Sequence, residues 1–313
     1  MGTRERRGRS YSADAHLASL FGEALLLLPI VPSRDSLALA AVGGYGRGEL
    51  SPGSDLDLLF LHNGNIPEAD LTKAVEKILY PLWDSGFSVD HSVRTRSETR
   101  DAANSDLRVA TGLLDIRLIC GNSDLVANVK SDSLDFWRRN AKDNLVSLRK
   151  SLHERHARAG ELAYLLEPDL KEARGGLRDI QALRAISLTG AVAVPLEKVS
   201  WAEATLNNVR ESLHIASGRG KDRLLFQEQD KVAALLKYSD ADAMMSEVAR
   251  AARSVDFLLT YTWHAVEHKS SDGISRILKR ERVATVAKNV SASNREISID
   301  LLDSLDEDPV VGL

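Results

Sequence analysis

The sequence predicts an α+β protein in which a small mixed-sheet domain is followed by an all-helical one. Three observations carry this expectation. A glycine-rich stretch with Gly43, Gly44, Gly46, Gly48 and Gly53 separates two apolar segments, 37–42 and 56–61, as a loop separates two strands. The second segment is introduced by Asp55 and carries Asp57, so in a strand both carboxylates fall on one side of the sheet. Past residue 122 strand-like runs disappear, and apolar residues recur at helical spacing to about residue 285.

Taken in order, residues 1–12 hold Arg4, Arg6, Arg7 and Arg9 and read as a flexible basic tail. Over 13–28 the residues Leu17, Leu20, Phe21, Leu25 and Leu28 repeat as one helix face, with Pro29 and Pro32 as the expected stop. Residues 69–83 repeat Leu71, Val75, Ile78, Leu79 and Leu82, an amphipathic helix ended by Gly86. A strand over 87–93 contains Asp90. Residues 97–119 read as one helix with Leu107, Ala110, Leu114 and Leu118 on a face, and the break at Cys120, Gly121 and Asn122 closes a first domain over 13–122. The helical domain then spans 123–285. It begins with a long or broken helix over 125–159, rich in paired charges, and leaves 286–313 as a charged, weakly patterned linker.

With 313 residues, 43% of them apolar, the chain is long enough for two domains with buried cores. A net charge of −4 gives no support for a nucleic-acid partner held through phosphates. The single cysteine, Cys120, cannot form an internal disulfide and fits a reducing cytoplasm. The apolar run 25–31 is too short to span a bilayer, and no signal-peptide pattern follows the N-terminal arginines.

The chemistry lies around the first glycines. Two hard carboxylates on one face suit Mg²⁺, which takes oxygen ligands and leaves room for substrate phosphates. Gly43 and Gly44 let the backbone approach a ligand closely, and a helix starting there would turn free N–H groups toward an anion. Together they imply work on a nucleoside triphosphate. Arg47 either neutralises charge there or clamps Glu49 or Asp55. A dinucleotide-binding fingerprint does not fit, because Glu49 stands where its third glycine is needed. A second informative stretch breaks at Gly175-Gly176 before a helix beginning near Leu177, with Lys171, Arg174 and Arg178 placed for a triphosphate, for an acidic loop or for solvent. His264, Glu267 and His268 match the H-x-x-E-H spacing of a zinc site, but they continue an amphipathic helix and read more simply as helix-end residues. His153 and His156 read as helix-surface residues.

Gly43-Gly44 followed by Asp55-Leu56-Asp57 resembles the nucleotidyltransferase superfamily of DNA polymerase β and the antibiotic nucleotidyltransferases. The longer string from Gly43 to Leu59, with Asp90-His91-Ser92-Val93-Arg94-Thr95, is similar to the bacterial protein-PII uridylyltransferases. So is Lys171-Glu172 with Gly175-Gly176-Leu177-Arg178-Asp179-Ile180-Gln181, and more weakly 221–226 followed by Gln229. Glutamine-synthetase adenylyltransferases carry a similar Gly-Gly segment. The resemblance implies a polymerase β-like first domain with two Mg²⁺ held by Asp55, Asp57 and a third acid, Asp90 in the first instance and Asp115 as its rival. It also implies nucleotide contacts from Gly43, Gly44, Arg47, Ser54, Lys171, Arg174 and Arg178. The implied reaction carries UMP from UTP to a tyrosine of the PII signal protein, with ATP as the alternative donor and no nucleic-acid or membrane partner. The helical domain would close over the nucleotide. A non-catalytic nucleotide-binding module would predict loss of Asp55 or Asp57, and both are present. Full-length members of that family continue into a hydrolase domain and two sensor domains. No His-Asp dipeptide occurs here, so the chain is expected to be an N-terminal part without the removal activity.

Overall fold

The computed structural model describes residues 2–28, 33–275, 284–287, 290–293 and 296–299. Helix α1 (Thr3–Leu25) takes up nearly the whole segment expected to be a basic tail. That expectation fails because Arg6 and Ser10 are buried: Arg6 and Arg9 both pair with Glu211, itself 1% exposed, and Arg9 Nε also donates to the Leu50 carbonyl at 3.0 Å. The arginines look solvated only while their partner, some 200 residues away, is out of view. The stop expected at Pro29 and Pro32 lies outside the described residues.

Four strands form a mixed sheet in the order β3-β2-β1-β4. Strand β1 (Leu37–Ala41) leads through α2 (Gly43–Gly46), a single helical turn, to β2 (Leu56–His62), which runs antiparallel to β1. The crossover helix α3 (Glu68–Asp84) buries the stripe Leu71, Val75, Ile78, Leu79 and Leu82 and ends at Gly86, where φ is +79°. Strand β3 (Val89–Thr95) then lies parallel to β2.

The single helix expected over 97–119 is three elements. Helix α4 (Arg96–Ser105) starts with a capping box between Thr95 and Glu98. Asp106 interrupts it with an extended backbone and caps α5 (Leu107–Leu113) through the Arg108 N–H. Residues Arg117–Gly121 form β4, antiparallel to β1 at the sheet's other edge. A short polar residue that can satisfy the next helix's free N–H groups outweighed the continuing apolar period. Pairing with the wholly buried β1 drew the four-residue run from Leu118 into the sheet.

Beyond β4 come α6 (Ser123–Arg139), α7 (Ala141–Ala159), α8 (Leu177–Leu188), α9 (Ser200–Ser217), α10 (Phe226–Leu236) and α11 (Ala241–Ser275). The segment expected as a linker from residue 286 is mostly strand where it is described. Strands β5 (Ala284–Ala287), β6 (Val290–Ser293) and β7 (Glu296–Ile299) form an antiparallel meander. The expectation for 300–313 falls outside the described residues.

The period of two along the strands decides what each half of the chain touches. Leu37, Leu39, Ala41, Leu56, Leu58 and Phe60 join α1 and α3 in one core. Ala38, Ala40, Leu59 and Leu61 face the other way and join a single continuous core with residues of α5 to α11. Asp57 has the parity of Leu59 and Leu61, so it is turned toward the helical half.

Candidate active site

The turn Gly43–Gly46 is built to bring backbone close to Asp57. Gly43 has φ +55°, and a methyl group on its Cα would lie 3.2 Å from Asp57 Oδ2. The Val42 N–H donates to the Asp57 carbonyl at 3.1 Å, which ties the start of the turn to the acidic strand. Gly46 is needed for a different reason: a Cβ there would stand 2.1 Å from the Asp115 carbonyl oxygen.

Asp57 and Asp90 are register partners on neighbouring strands, and Asp55 ends the loop that enters β2. Burial, then the charges of Asp90 and Asp55, push the Asp57 carboxyl up to about 6, only partly opposed by Lys171 and Arg47. An acid with that much uncompensated negative charge around it is suited to a divalent cation, so the residues present fit the implied Mg²⁺. Among the described residues, no three His, Cys, Asp or Glu side chains are already drawn together as a cage. The fit is therefore one of charge and placement.

Asp115, the rival third acid, has a different occupation. Arg47 Nη1 donates to it at 2.6 Å while Arg47 Nε donates to Glu49 at 2.8 Å. Burial raises the Asp115 carboxyl and the Arg47 charge opposes that rise. Arg47 thus clamps Glu49 and Asp115 rather than Asp55, and it also lines the cleft between the sheet and the helices. Arg184 of α8 extends the network to Glu49 at 3.3 Å and to Glu203 of α9 at 2.7 Å, which couples the glycine turn to two helices of the other half.

A cleft of about 710 Å³ opens between the sheet and the helices, large enough for a nucleotide. Gly43, Gly44, Ser54, Asp55, Asp57 and Asp90 line one side, and Lys171, Arg178, Gln181 and Asp222 the other. Of the three cations expected around the Gly-Gly break, two are at the cleft, where Arg47 joins them. Arg174 is not: it does not line the cleft, its Nε donates to Asp256 on α11 at 2.6 Å, and its Nη1 donates to Glu161. Arg178 pairs with Glu172 at 2.6 Å, and Lys171 sits 3.9 Å from Asp222.

Asp179 explains the Gly-Gly break. It is wholly buried, accepts from Arg155 at 2.5 Å, contacts His156 Nε2 at 2.9 Å, and accepts from the Gly175 N–H at 2.7 Å. His156 is thus an internal partner rather than a surface residue, whereas His153 is exposed as expected. Sequence reasoning missed Arg108 and Arg94 at the cleft, and also Arg210, which lies among Leu206, Val209 and Leu213 on the apolar face of α9. A lone arginine in an apolar stripe was the available signal. In the H-x-x-E-H run, His264 Nδ1 is 3.8 Å from Glu267, whose carboxylate also pairs with Arg149 of α7.

Comparison with known proteins now decides the family. The GlnD PII-uridylyltransferase model matches residues 144–191 and 193–263, and the nucleotidyltransferase domain model matches 27–110. The chain belongs to the PII-uridylyltransferase family. A bifunctional uridylyltransferase/uridylyl-removing enzyme of Streptomyces coelicolor is 46% identical over 265 residues, covering 85% of this chain and 31% of the relative. One from Mycobacterium tuberculosis is 38% identical over 235 residues, with 72% and 29% covered, and one from Pseudoalteromonas translucida is 34% identical over 284, with 82% and 32% covered. The chain spans about a third of the length of these relatives. In this chain a nucleotidyltransferase domain precedes a helical part. No helix among the described residues is long and apolar enough to cross a membrane.

Proposed function

We propose that this chain transfers UMP from UTP to a tyrosine hydroxyl of the PII signal protein and releases pyrophosphate. The observation that carries the reading is the register pair Asp57 and Asp90 beside Asp55 on one wall of the cleft, with Lys171 on the other. The bond that forms joins the tyrosyl oxygen to the α-phosphorus, and the bond that breaks joins that phosphorus to the bridging oxygen of the departing pyrophosphate. Mg²⁺, held by Asp55, Asp57 and Asp90, supplies Lewis acidity and neutralises phosphate charge when bound. Asp57, on the acidic wall of the cleft, takes the hydroxyl proton as general base. The N–H groups of the Gly43 turn face the β- and γ-phosphates. Lys171 and Arg178 approach the triphosphate from the helical side, and Ser54 holds the turn ahead of Asp55. The match to the PII-uridylyltransferase family and the uridylyltransferase relatives support PII as acceptor and a uridylyl group as the one transferred.

The direct test offers α-labelled UTP, and separately α-labelled ATP, to purified PII protein with Mg²⁺. Label from UTP is the expected result. Label from ATP alone would replace the uridylyl reading by adenylylation. Absence of label from both would overturn transfer to PII by this chain.

The third carboxylate is tested by a pair of substitutions. Asp90→Asn is expected to lower transfer on the order of 10²-fold or more with little change in melting temperature, as removal of a charge that acts in the transition state should. Asp115→Asn is expected to lower stability by about 1–2 kcal/mol, since it leaves the buried Arg47 with a weaker partner. The reverse pattern in steady-state kinetics and thermal melts would reassign the site to Asp115.

A further inference from the structure

We propose that Arg210 and Asp222 are a positioning pair that fixes Asp55 through the turn preceding it, so that the helical half sets the geometry of the acidic wall. The catalytic consequence rests on the nucleotidyl-transfer reading above, but the mechanical claim does not.

Arg210 is 8% exposed and sits on the face of α9 turned toward the first half of the chain. A guanidinium so placed must be paired, because an unpaired buried charge is strongly unfavourable. Its Nε donates to Asp222 Oδ1 at 2.6 Å. With the fork anchored there, Nη1 donates to Ser51 Oγ at 3.0 Å and Nη2 reaches Ser54 Oγ at 3.5 Å. Ser51 and Ser54 are already closed on each other: the Ser54 N–H donates to the Ser51 carbonyl at 3.0 Å, and the Ser51 N–H to Ser54 Oγ at 3.2 Å. The next residue is Asp55. One guanidinium therefore holds both ends of a four-residue turn whose exit is a proposed metal ligand.

Asp222 is itself held. His214 Nε2 contacts Oδ1 at 2.8 Å, Lys171 Nζ lies 3.9 Å from Oδ2, and the Asp222 carbonyl accepts from the Leu170 N–H at 2.9 Å. The carboxylate that aims Arg210 at the Asp55 turn thus lies beside the lysine whose charge is felt at Asp57. Backbone contact reinforces the same seam: a methyl on Gly53 would fall 2.4 Å from Gly220 Cα, so only two glycines let the turn and the 218–222 loop meet this closely. Lysine cannot replace Arg210, because a single ammonium lacks the fork that serves three oxygens at once.

The test uses the 313-residue chain and its Arg210→Lys and Ser51→Ala/Ser54→Ala variants, read by hydrogen exchange and by steady-state transfer. Both variants are expected to raise amide exchange in the peptide covering 51–55 about 10-fold or more, as loss of a hydrogen bond to a charged group would. Peptides from α9 and α11 should keep wild-type exchange. Transfer should fall in kcat about 10-fold or more, with the KM for UTP within about twofold. Unchanged exchange at 51–55 in either variant would overturn the pair as a positioning device. Exchange rising equally across α9 would do the same by showing a general packing role. If the chain transferred no nucleotide at all, the exchange result would still decide the mechanical claim, which separates its failure from failure of the functional reading.

Discussion

Asp57→Asn is expected to lower nucleotidyl transfer on the order of 10³-fold or more, the equivalent of about 4 kcal/mol of barrier, while leaving the metal-free protein as stable as wild type or more so. The two effects have one cause. In the metal-free protein Asp57 is crowded by burial and by Asp90 and Asp55, so its carboxyl titrates near 6 instead of its ordinary 3.8. A folded-state pKa raised above the unfolded value means that the folded protein binds the extra proton. Its favourable contribution is therefore complete below about pH 4 and is lost as pH rises from about 4 to 6. Above that window the ionised cluster opposes folding on the order of 2 kcal/mol. Thermal melts from pH 4 to 7.5 check this. Wild type without metal should lose stability across the window, added Mg²⁺ should restore it at pH 7, and Asp57→Asn should show a smaller pH slope and a smaller Mg²⁺ response. An Asp57→Asn protein with near-wild-type transfer would remove Asp57 from the chemistry.

The second large effect is one of stability. Asp179→Ala is expected to destabilise the chain by about 3–5 kcal/mol, because it strands Arg155, which is 6% exposed, without its carboxylate. Burial disfavours the Asp179 charge, yet the hydrogen bond from His156 and the charge of Arg155 outweigh burial and keep its carboxyl below the ordinary range. The substitution also frees the Gly175 N–H, and with it the approach to α8. A drop of roughly 10 °C or more in melting temperature should accompany it. Pairing it with Arg155→Met should recover part of the loss, since an apolar pair leaves no buried charge behind. Transfer by the fraction that remains folded should change far less than in Asp57→Asn. If Asp179→Ala melted like wild type, the buried triad would not be what holds the Gly-Gly break.

The contrast between Asp57 and Asp179 shows where sequence reading reaches. The placement of Asp57 on β2 and the close approach of Gly43 to it were legible because they are local: an apolar strand run that carries an acid, and a glycine where backbone must come close. The parity that turns Asp57 toward the helices followed from the same alternation. What stayed hidden depends on partners far along the chain. The contact of Arg47 with Asp115, 68 residues on, has no signature in the sequence around Arg47. Arg174 looked equivalent to Lys171 and Arg178 until Asp256 claimed it. Strand β4 was missed because a five-residue edge strand has too few residues to show a period, and only pairing with β1 reveals it. His156 looked like a surface residue because its partner, Asp179, belongs to another helix.

The grip of Arg6 and Arg9 on Glu211 also bears on how the chain emerges from the ribosome. Helix α1 leaves before α9, and the acid that satisfies its arginines is synthesised about 200 residues later, on the order of ten seconds or more at ordinary elongation rates. The first core can collapse around α1 and α3 in that interval, but its N-terminal turn must wait, with Arg6 in water, until α9 arrives. Folding of the two halves is thereby made sequential and then joint, and an expression boundary drawn at residue 13 would leave Glu211 buried with neither of its cations.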